Sequence, residues 1–346
     1  MSAWRDAEGR KVAMSVSDVG RSASPGKSFW EHNEYFRQLA TALASGAAGT
    51  TPNGDRAKVK ERTRNYYDSA AVSTRVQSFW NLGYSSADAL REIQDHIPEF
   101  GRHNETDGLS EQLYFATVKQ MPLKLDELAE MSLLDVGCGL GEGLNFLSRM
   151  LPGTRMVGLD LSPNAVGSAN ARLARGSALS FVCGDAESIP FDDAGIDVVI
   201  SVESAQFYPD NRRFLQEVAR TLKPGGYFSQ ADLYIDDEGW ERTLSARKGV
   251  DQLEWIRDKD ISPEVRTALT ARLMPGSHFH RKFGDVPQIA RASLIRHFDL
   301  LCGQSVAEAA GERPTKIFRR RRSVRAGAGS PGSTGASYRL SLAQRT

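Results

Sequence analysis

The sequence predicts an α/β protein with a mostly parallel seven-stranded sheet, helices on both faces and a helical lid. Three observations carry this expectation. Short apolar runs alternate with helical patterns between residues 132 and 262, as parallel strands joined by right-handed crossovers require. A glycine-rich turn, Asp135-Val-Gly137-Cys-Gly139-Leu-Gly141, follows the first apolar run and opens a helix. Near the end, the alternating segment SYRLSLAQ can pair as a last strand.

The elements follow in order. Residues 1–57 are rich in Ser, Ala, Gly and charge, and read as a partly disordered extension with one short helix around Phe29 to Leu43. Residues 58–120 are helical in pattern and carry Tyr66, Tyr67, Phe79, Trp80 and Tyr84, which makes them the expected lid. The core spans residues 121–262. Its strands are expected at Ser132 to Val136, Arg155 to Asp160, Leu179 to Cys183, Asp197 to Val202, Tyr227 to Leu233 and 252–261. Helices are expected over Gly141 to Met150, Asn164 to Arg175 and Asn211 to Leu222, the last with Phe214, Leu215, Val218 and Leu222 on one face. Lys223-Pro224-Gly225-Gly226 reads as a turn. Residues 263–310 form a helical cap, and 311–346 a basic Gly/Ser-rich loop leading to the final strand.

Composition narrows the function classes. The 346 residues carry 44 basic and 43 acidic side chains, a net charge of +1, so no global pull draws the chain to nucleic acid or anionic membrane. Three cysteines, Cys138, Cys183 and Cys302, stand far apart without metal-ligand spacing. No apolar stretch is long enough to span a bilayer, and the charged N-terminus lacks a secretory pattern. These features predict a cytoplasmic protein without stable membrane insertion and without a metal. Arg319 to Arg322 and Arg325 can contact phosphates or form a solvated basic loop.

Three features fall at successive strand ends. The glycine turn allows tight backbone curvature and close ligand approach. A dinucleotide fingerprint would place its third glycine at position 142, where Glu142 stands instead. That carboxylate would repel a pyrophosphate at a helix N-terminus, whereas a zwitterionic amino acid offers an ammonium that loop carbonyls can receive. Asp160, ending the second strand, can accept hydrogen bonds from two ribose hydroxyls. Asp185, in Gly184-Asp185-Ala186-Glu187, can accept from an adenine amine with Ala186 beside the ring. Each alone has a bland alternative, a structural turn or a helix N-cap; together they describe one nucleoside site.

The segments LLDVGCGLGEG, VGLDLSP, CGDAESIPF and LKPGGYF resemble the signature segments of class I S-adenosylmethionine-dependent methyltransferases, which have a Rossmann-like core. The resemblance covers about residues 58 to 262. The segment VESAQFYPDNRRFLQEVARTLKPGGYFSQADL is similar to the small-molecule group that includes phthiotriolone/phenolphthiotriolone dimycocerosates methyltransferases. The resemblance implies S-adenosyl-L-methionine as cofactor. It implies that Asp135, Gly137, Cys138, Gly139 and Gly141 hold the methionine portion, Asp160 with the adjacent Leu161 the ribose, and Asp185 with Ala186 the adenine. It further implies that Val202 and the residues after it floor the transfer site, and that Tyr67 and Gln112 close over the cofactor.

The expected activity is methyl transfer to a hydroxyl of a small lipophilic natural product or lipid in secondary metabolism. A hydroxyl nucleophile needs a proton acceptor. Glu203 can fill that role, or can bond the cofactor's ammonium or cap a turn. His278 is a second candidate base, or a packing residue, with His280 beside it in sequence. Phe207, Tyr208, Tyr84 and Trp80 can line the acceptor pocket, or simply pack. Transfer to carbon or nitrogen is the alternative, a nicotinamide-dependent reductase is disfavoured by the glycine spacing, and a catalytically silent homologue serving assembly is a third reading. No NPPY-like run follows the fourth strand, so nucleic acid is not the expected partner. Homodimerisation is left open.

Overall fold

The computed structural model describes residues 56–71, 81–100, 106–234, 237–273, 276–278 and 337–346. Phe29 to Leu43, Phe79, Trp80, His280, Cys302 and the arginine run at 319–325 lie outside the described residues.

Seven strands form one sheet: β1 Ser132–Val136, β2 Arg155–Asp160, β3 Leu179–Cys183, β4 Ile196–Val202, β5 Leu222–Tyr234, β6 Leu253–Asp260 and β7 Ser337–Arg345. Their order is β3-β2-β1-β4-β5-β7-β6. The first five are parallel to one another, and β7 runs antiparallel to both β5 and β6. The chain order therefore reverses at β1, where β2 lies on one side and β4 on the other. Ligands bind outside the carboxyl ends of the strands at such a switch point.

Alternate residues of β1 explain why the sheet is covered on both faces. Leu133 packs into one apolar cluster, with Leu113, Leu144, Leu147 and Ile200. Leu134 and Val136 pack into the other, with Val199, Phe214, Val218 and Phe228. A strand buried on both faces reads as a continuous apolar run, which is the pattern LLDV shows. Burying each large side chain contributes about 1.5–3 kcal/mol.

The helices complete the layers: α1 Arg56–Ala71, α2 Ala87–His96, α3 Leu109–Lys119, α4 Glu142–Met150, α5 Pro163–Leu173, α6 Asn211–Thr221, α7 Asp237–Arg247 and α8 Ser262–Leu273. Two have clear start signals. Ser162 caps α5, accepting from Ala165 N at 3.0 Å with Pro163 at the first helical position, and Asp210 caps α6, accepting from Arg213 N at 3.0 Å. α3 is different, being buried on nearly every side, with Ser110, Glu111, Gln112 and Thr117 all inside.

One sequence expectation is corrected. Lys223-Pro224-Gly225-Gly226 does not separate two elements, because β5 runs continuously from Leu222. It pairs with β4 through Leu222 opposite Ile196 and Tyr227 opposite Val198, so the proline and glycines form a bulge within the strand. The expected last strand is β7, paired with β5 with Phe228 opposite Ala343 and Ala231 opposite Leu340. The outer strand β6 ends in Arg257, Asp258, Lys259 and Asp260, charges that blunt a sheet edge.

Candidate active site

A cleft opens at the carboxyl ends of β1, β2, β3 and β4, and α1 lies across it. The glycine turn forms one wall. Gly137 N and Cys138 N both donate to Leu159 O, at 2.8 and 3.1 Å, which binds the turn to the end of β2. Gly137 has φ +84°, and a Cβ there would fall 2.3 Å from Ser204 Cβ, so only glycine fits. Gly141 has φ +81° and stands as the N-cap of α4.

Asp160 is half-buried and lines the cleft. Its Oδ2 accepts from Gly139 N at 2.8 Å and its Oδ1 from Ser162 N at 2.9 Å. Burial raises its pKa and these amides oppose that rise. Asp160 thus joins the glycine turn to the start of α5 and faces the same space. Leu161, Asp185 and Ala186 line it too.

Asp185 also meets a residue the sequence did not suggest. Lys60 Nζ, on α1, lies 2.6 Å from Asp185 Oδ2 and 2.7 Å from Glu187 Oε2. Burial lowers the Lys60 pKa, but the two carboxylates outweigh it and the net shift is upward. Two more contacts tie α1 down. Asp68 Oδ1 accepts from Ser162 Oγ at 2.5 Å, and Arg56 pairs with Asp210 at 2.7 Å. The helix is held across the cleft by these contacts. Tyr67 lines the cleft from this helix, with its ring edge-on to Phe207 at 5.8 Å.

At the opposite end, Val202, Glu203 and Ser204 follow β4. Glu203 is a non-glycine residue at φ +52°, a left-handed backbone held by its surroundings. Its Oε1 accepts from Leu82 N and from Tyr338 OH, each at 2.6 Å. Burial pushes its pKa up to about 7, against the pull of those bonds. The carboxyl lines the cleft, so it can exchange a proton with a ligand near neutral pH. Phe207 and Tyr208 line the wall beyond it. Tyr208 is anchored, donating to Ser204 Oγ at 3.0 Å.

Besides Gly141, which caps α4 and does not itself line the cleft, four expected site residues stand elsewhere. Asp135 is fully buried; Tyr114, which does line the cleft, donates to its Oδ2 at 3.2 Å. Gln112 spends its amide on backbone: Ser86 N donates to Oε1 at 3.0 Å and Nε2 donates to Gly108 O at 3.2 Å. It braces the loop before α2 and does not line the cleft. Tyr84 packs in the core beside α3. His278 is outside the cleft, its backbone N–H bonded to Asp107 Oδ2 at 2.8 Å. In each case the local sequence gave the residue type but not the direction of its side chain. Lys60, Asn81, Tyr114 and Tyr338 were not anticipated. For Tyr114 a signal existed, since SEQLYFATVK carries polar residues with no clean polar face.

The residues present fit S-adenosylmethionine. A glycine turn gives close approach, and Asp160, Asp185, Ala186 and, at the start of α4, Glu142 line the same cleft, a set of acceptors that suits a nucleoside with an amino-acid arm. The fold is the Rossmann-like fold of class I methyltransferases. Residues 134–229 match the family described as a methyltransferase domain. The chain is 41% identical over 155 residues to phthiotriol/phenolphthiotriol dimycocerosates methyltransferase of Mycobacterium tuberculosis, covering 44% of this chain and 54% of that one. It is 38% identical over 169 residues to fatty-acid O-methyltransferase of Mycolicibacterium smegmatis, covering 48% and 57%. The chain thus spans about half the length of the curated relatives it matches. Two solved structures share the fold: the [4+2]-cyclase SpnF (TM-score 0.54, 18% identity, 83% of this chain and 96% of that one) and geranyl diphosphate C-methyltransferase from Streptomyces coelicolor A3(2) (TM-score 0.53, 16% identity, 83% and 98%). One fold thus serves different reactions, and the reaction must be argued from the site. Among the described residues no helix is long and apolar enough to cross a membrane, and no group of side chains could hold a metal.

The acid cluster has a consequence for stability. Asp135, Glu203 and Asp232 are each pushed up to about 7, chiefly by burial. An unfolded carboxyl titrates near pH 4. As pH rises from about 4 to about 7 the unfolded chain releases these protons while the folded chain keeps them. Their contribution to stability therefore falls across that window. Asp232 is 1% exposed and does not line the cleft, so Asp232→Asn should flatten the decline. Urea unfolding of the cofactor-free protein at several pH values checks this; an unchanged slope would mean that Asp232 titrates normally.

Proposed function

We propose that the protein transfers a methyl group from S-adenosylmethionine to a hydroxyl of a small lipophilic natural product or lipid, with Glu203 as the proton acceptor. The observation that carries this reading is Glu203 itself: a half-buried carboxyl on the cleft wall, its pKa pushed up to about 7, held by Leu82 N and Tyr338 OH. Bound S-adenosylmethionine would supply a methyl group already activated on a positively charged sulfur. Glycines 137 and 139, Asp160, Asp185 and Ala186 would hold the nucleoside and the amino-acid arm. The acceptor's O–H proton passes to the Glu203 carboxylate as the new O–C bond forms and the S–C bond breaks, leaving a neutral thioether. Tyr67 and Phe207 offer an apolar wall to the acceptor, and α1, latched by Lys60 and Asp68, keeps water from the reacting atoms. Likeness to a fatty-acid O-methyltransferase supports a lipophilic acceptor with an oxygen nucleophile.

The test is turnover by the purified full chain with a panel of hydroxylated lipids and polyketides, with products identified by mass and by bond connectivity. A methyl ether is the expected product. Methylation at carbon or nitrogen would overturn the hydroxyl assignment, and a methyl ester would remove the need for a base at Glu203.

A further inference from the structure

Arg272 stands in the last turn of α8 as a buried cation, 7% exposed. Taking a guanidinium out of water is costly unless charges or hydrogen bonds compensate it. The negative end of the helix dipole offsets part of that cost. Its hydrogen bonds go to uncharged groups. Nη1 donates to Asn81 O at 3.1 Å and Nη2 to Ser110 Oγ at 2.6 Å, while Nε is buried without a partner among the described residues. Burial lowers the Arg272 pKa, and three carboxyl groups oppose the fall from further off: Glu203 first, then Glu111 of α3 and Asp107.

One peptide group joins Arg272 to Glu203. Its carbonyl is Asn81 O, which receives Arg272, and its N–H is that of Leu82, which donates to Glu203 Oε1 at 2.6 Å. In a trans peptide the C=O and the N–H point in opposite directions. The peptide dipole therefore lies with its negative end on the guanidinium and its positive end on the carboxyl, and each bond polarises the other. This arrangement favours the ionised carboxylate. The remaining groups around Glu203 divide. Burial holds its carboxyl toward the neutral form, and Asp232 on β5 adds to that. Tyr338 OH on β7 donates to the same oxygen at 2.6 Å and works the other way, as Arg272 does. Tyr114 of α3 feels the Glu203 charge and stays neutral. Arg272 supplies the positive charge among them.

We propose that Arg272 is the counter-charge of Glu203: acting through the Asn81–Leu82 peptide, it keeps the carboxyl ready to receive a proton, which makes it a positioning residue for methyl transfer. Its value to catalysis rests on Glu203 being the proton acceptor; the coupling between the two charges does not. The test is a pH titration of the full chain by NMR, with 13C at the glutamate carboxyls and 15N in the arginines. The Glu203 signal is assigned by its loss in Glu203→Gln and the Arg272 signals by their loss in Arg272→Lys. Arg272→Gln keeps an N–H donor for Asn81 O and removes the charge. It should raise the Glu203 midpoint by about one pH unit, a roughly tenfold fall in the acid dissociation constant. Arg272→Lys keeps the charge and should recover most of that shift. In the unmodified protein the Arg272 guanidinium nitrogens should move with the same midpoint as Glu203, a reading that stands even if thermal melts show Arg272→Gln to be unfolded. A brace that only held the loop would move neither signal. A Glu203 dissociation constant within about twofold of wild type in Arg272→Gln, or Arg272 nitrogens that ignore the Glu203 titration, would overturn the proposal. Should Glu203→Gln keep the wild-type rate, the role in methyl transfer falls with the base, and the counter-charge is decided by the titration alone.

Discussion

Replacing Asp160 with alanine should weaken S-adenosylhomocysteine binding by about 1–3 kcal/mol, roughly ten- to a hundredfold in the dissociation constant. Two costs combine. The ribose hydroxyls would lose their acceptor in the cleft. The glycine turn would also lose the carboxylate that receives Gly139 N and Ser162 N at 2.8 and 2.9 Å, so the loop that must approach the ligand would be free to move. Asp160→Asn separates the two. It retains one oxygen and so should fall between the wild type and the alanine variant. Titration calorimetry checks both variants, and wild-type affinity in Asp160→Ala would place the ribose elsewhere.

Glu203→Gln should lower kcat by about 10²- to 10⁴-fold, the usual contribution of a positioned base, with the dissociation constant of S-adenosylhomocysteine changed by no more than about twofold. Glutamine keeps an oxygen for Leu82 N and Tyr338 OH but accepts no proton near neutral pH. The wild-type rate should depend on pH in a definite direction. A carboxyl pushed up to about 7 must be ionised to act, so kcat should rise as pH rises through that value and level off above it. A rate within about threefold of wild type in Glu203→Gln would remove Glu203 from proton transfer. That result would favour the bracing role, in which Glu203 only joins the loop at Leu82 to the final strand at Tyr338.

Much of the fold could be read from the chain because its signals are local. Ser132–Val136, Arg155–Asp160 and Leu179–Cys183 are short apolar runs ended by an acid or a glycine turn, and their predicted bounds match the strands. Lys223-Pro224-Gly225-Gly226 misled for a local reason too. Those residues favour a turn in isolation, yet pairing of Leu222 with Ile196 on one side and Tyr227 with Val198 on the other carries the strand through them. Helix α3 gave its pattern but not its role, since a helix enclosed on nearly all sides has no single apolar stripe to orient it.

By itself the sequence determined the alternating core, the glycine turn and the two carboxylates at the ends of β2 and β3, because backbone propensity and strand-end position act over a few residues. Only the tertiary structure decided what those groups face. Lys60 meets Asp185 across 125 residues and Tyr338 meets Glu203 across 135. Gln112 turned to backbone and His278 stayed outside the cleft. Such outcomes depend on the direction of a side chain within a packed layer, and on competition for each buried hydrogen-bond partner. Neither is encoded in the spacing of residues along the chain.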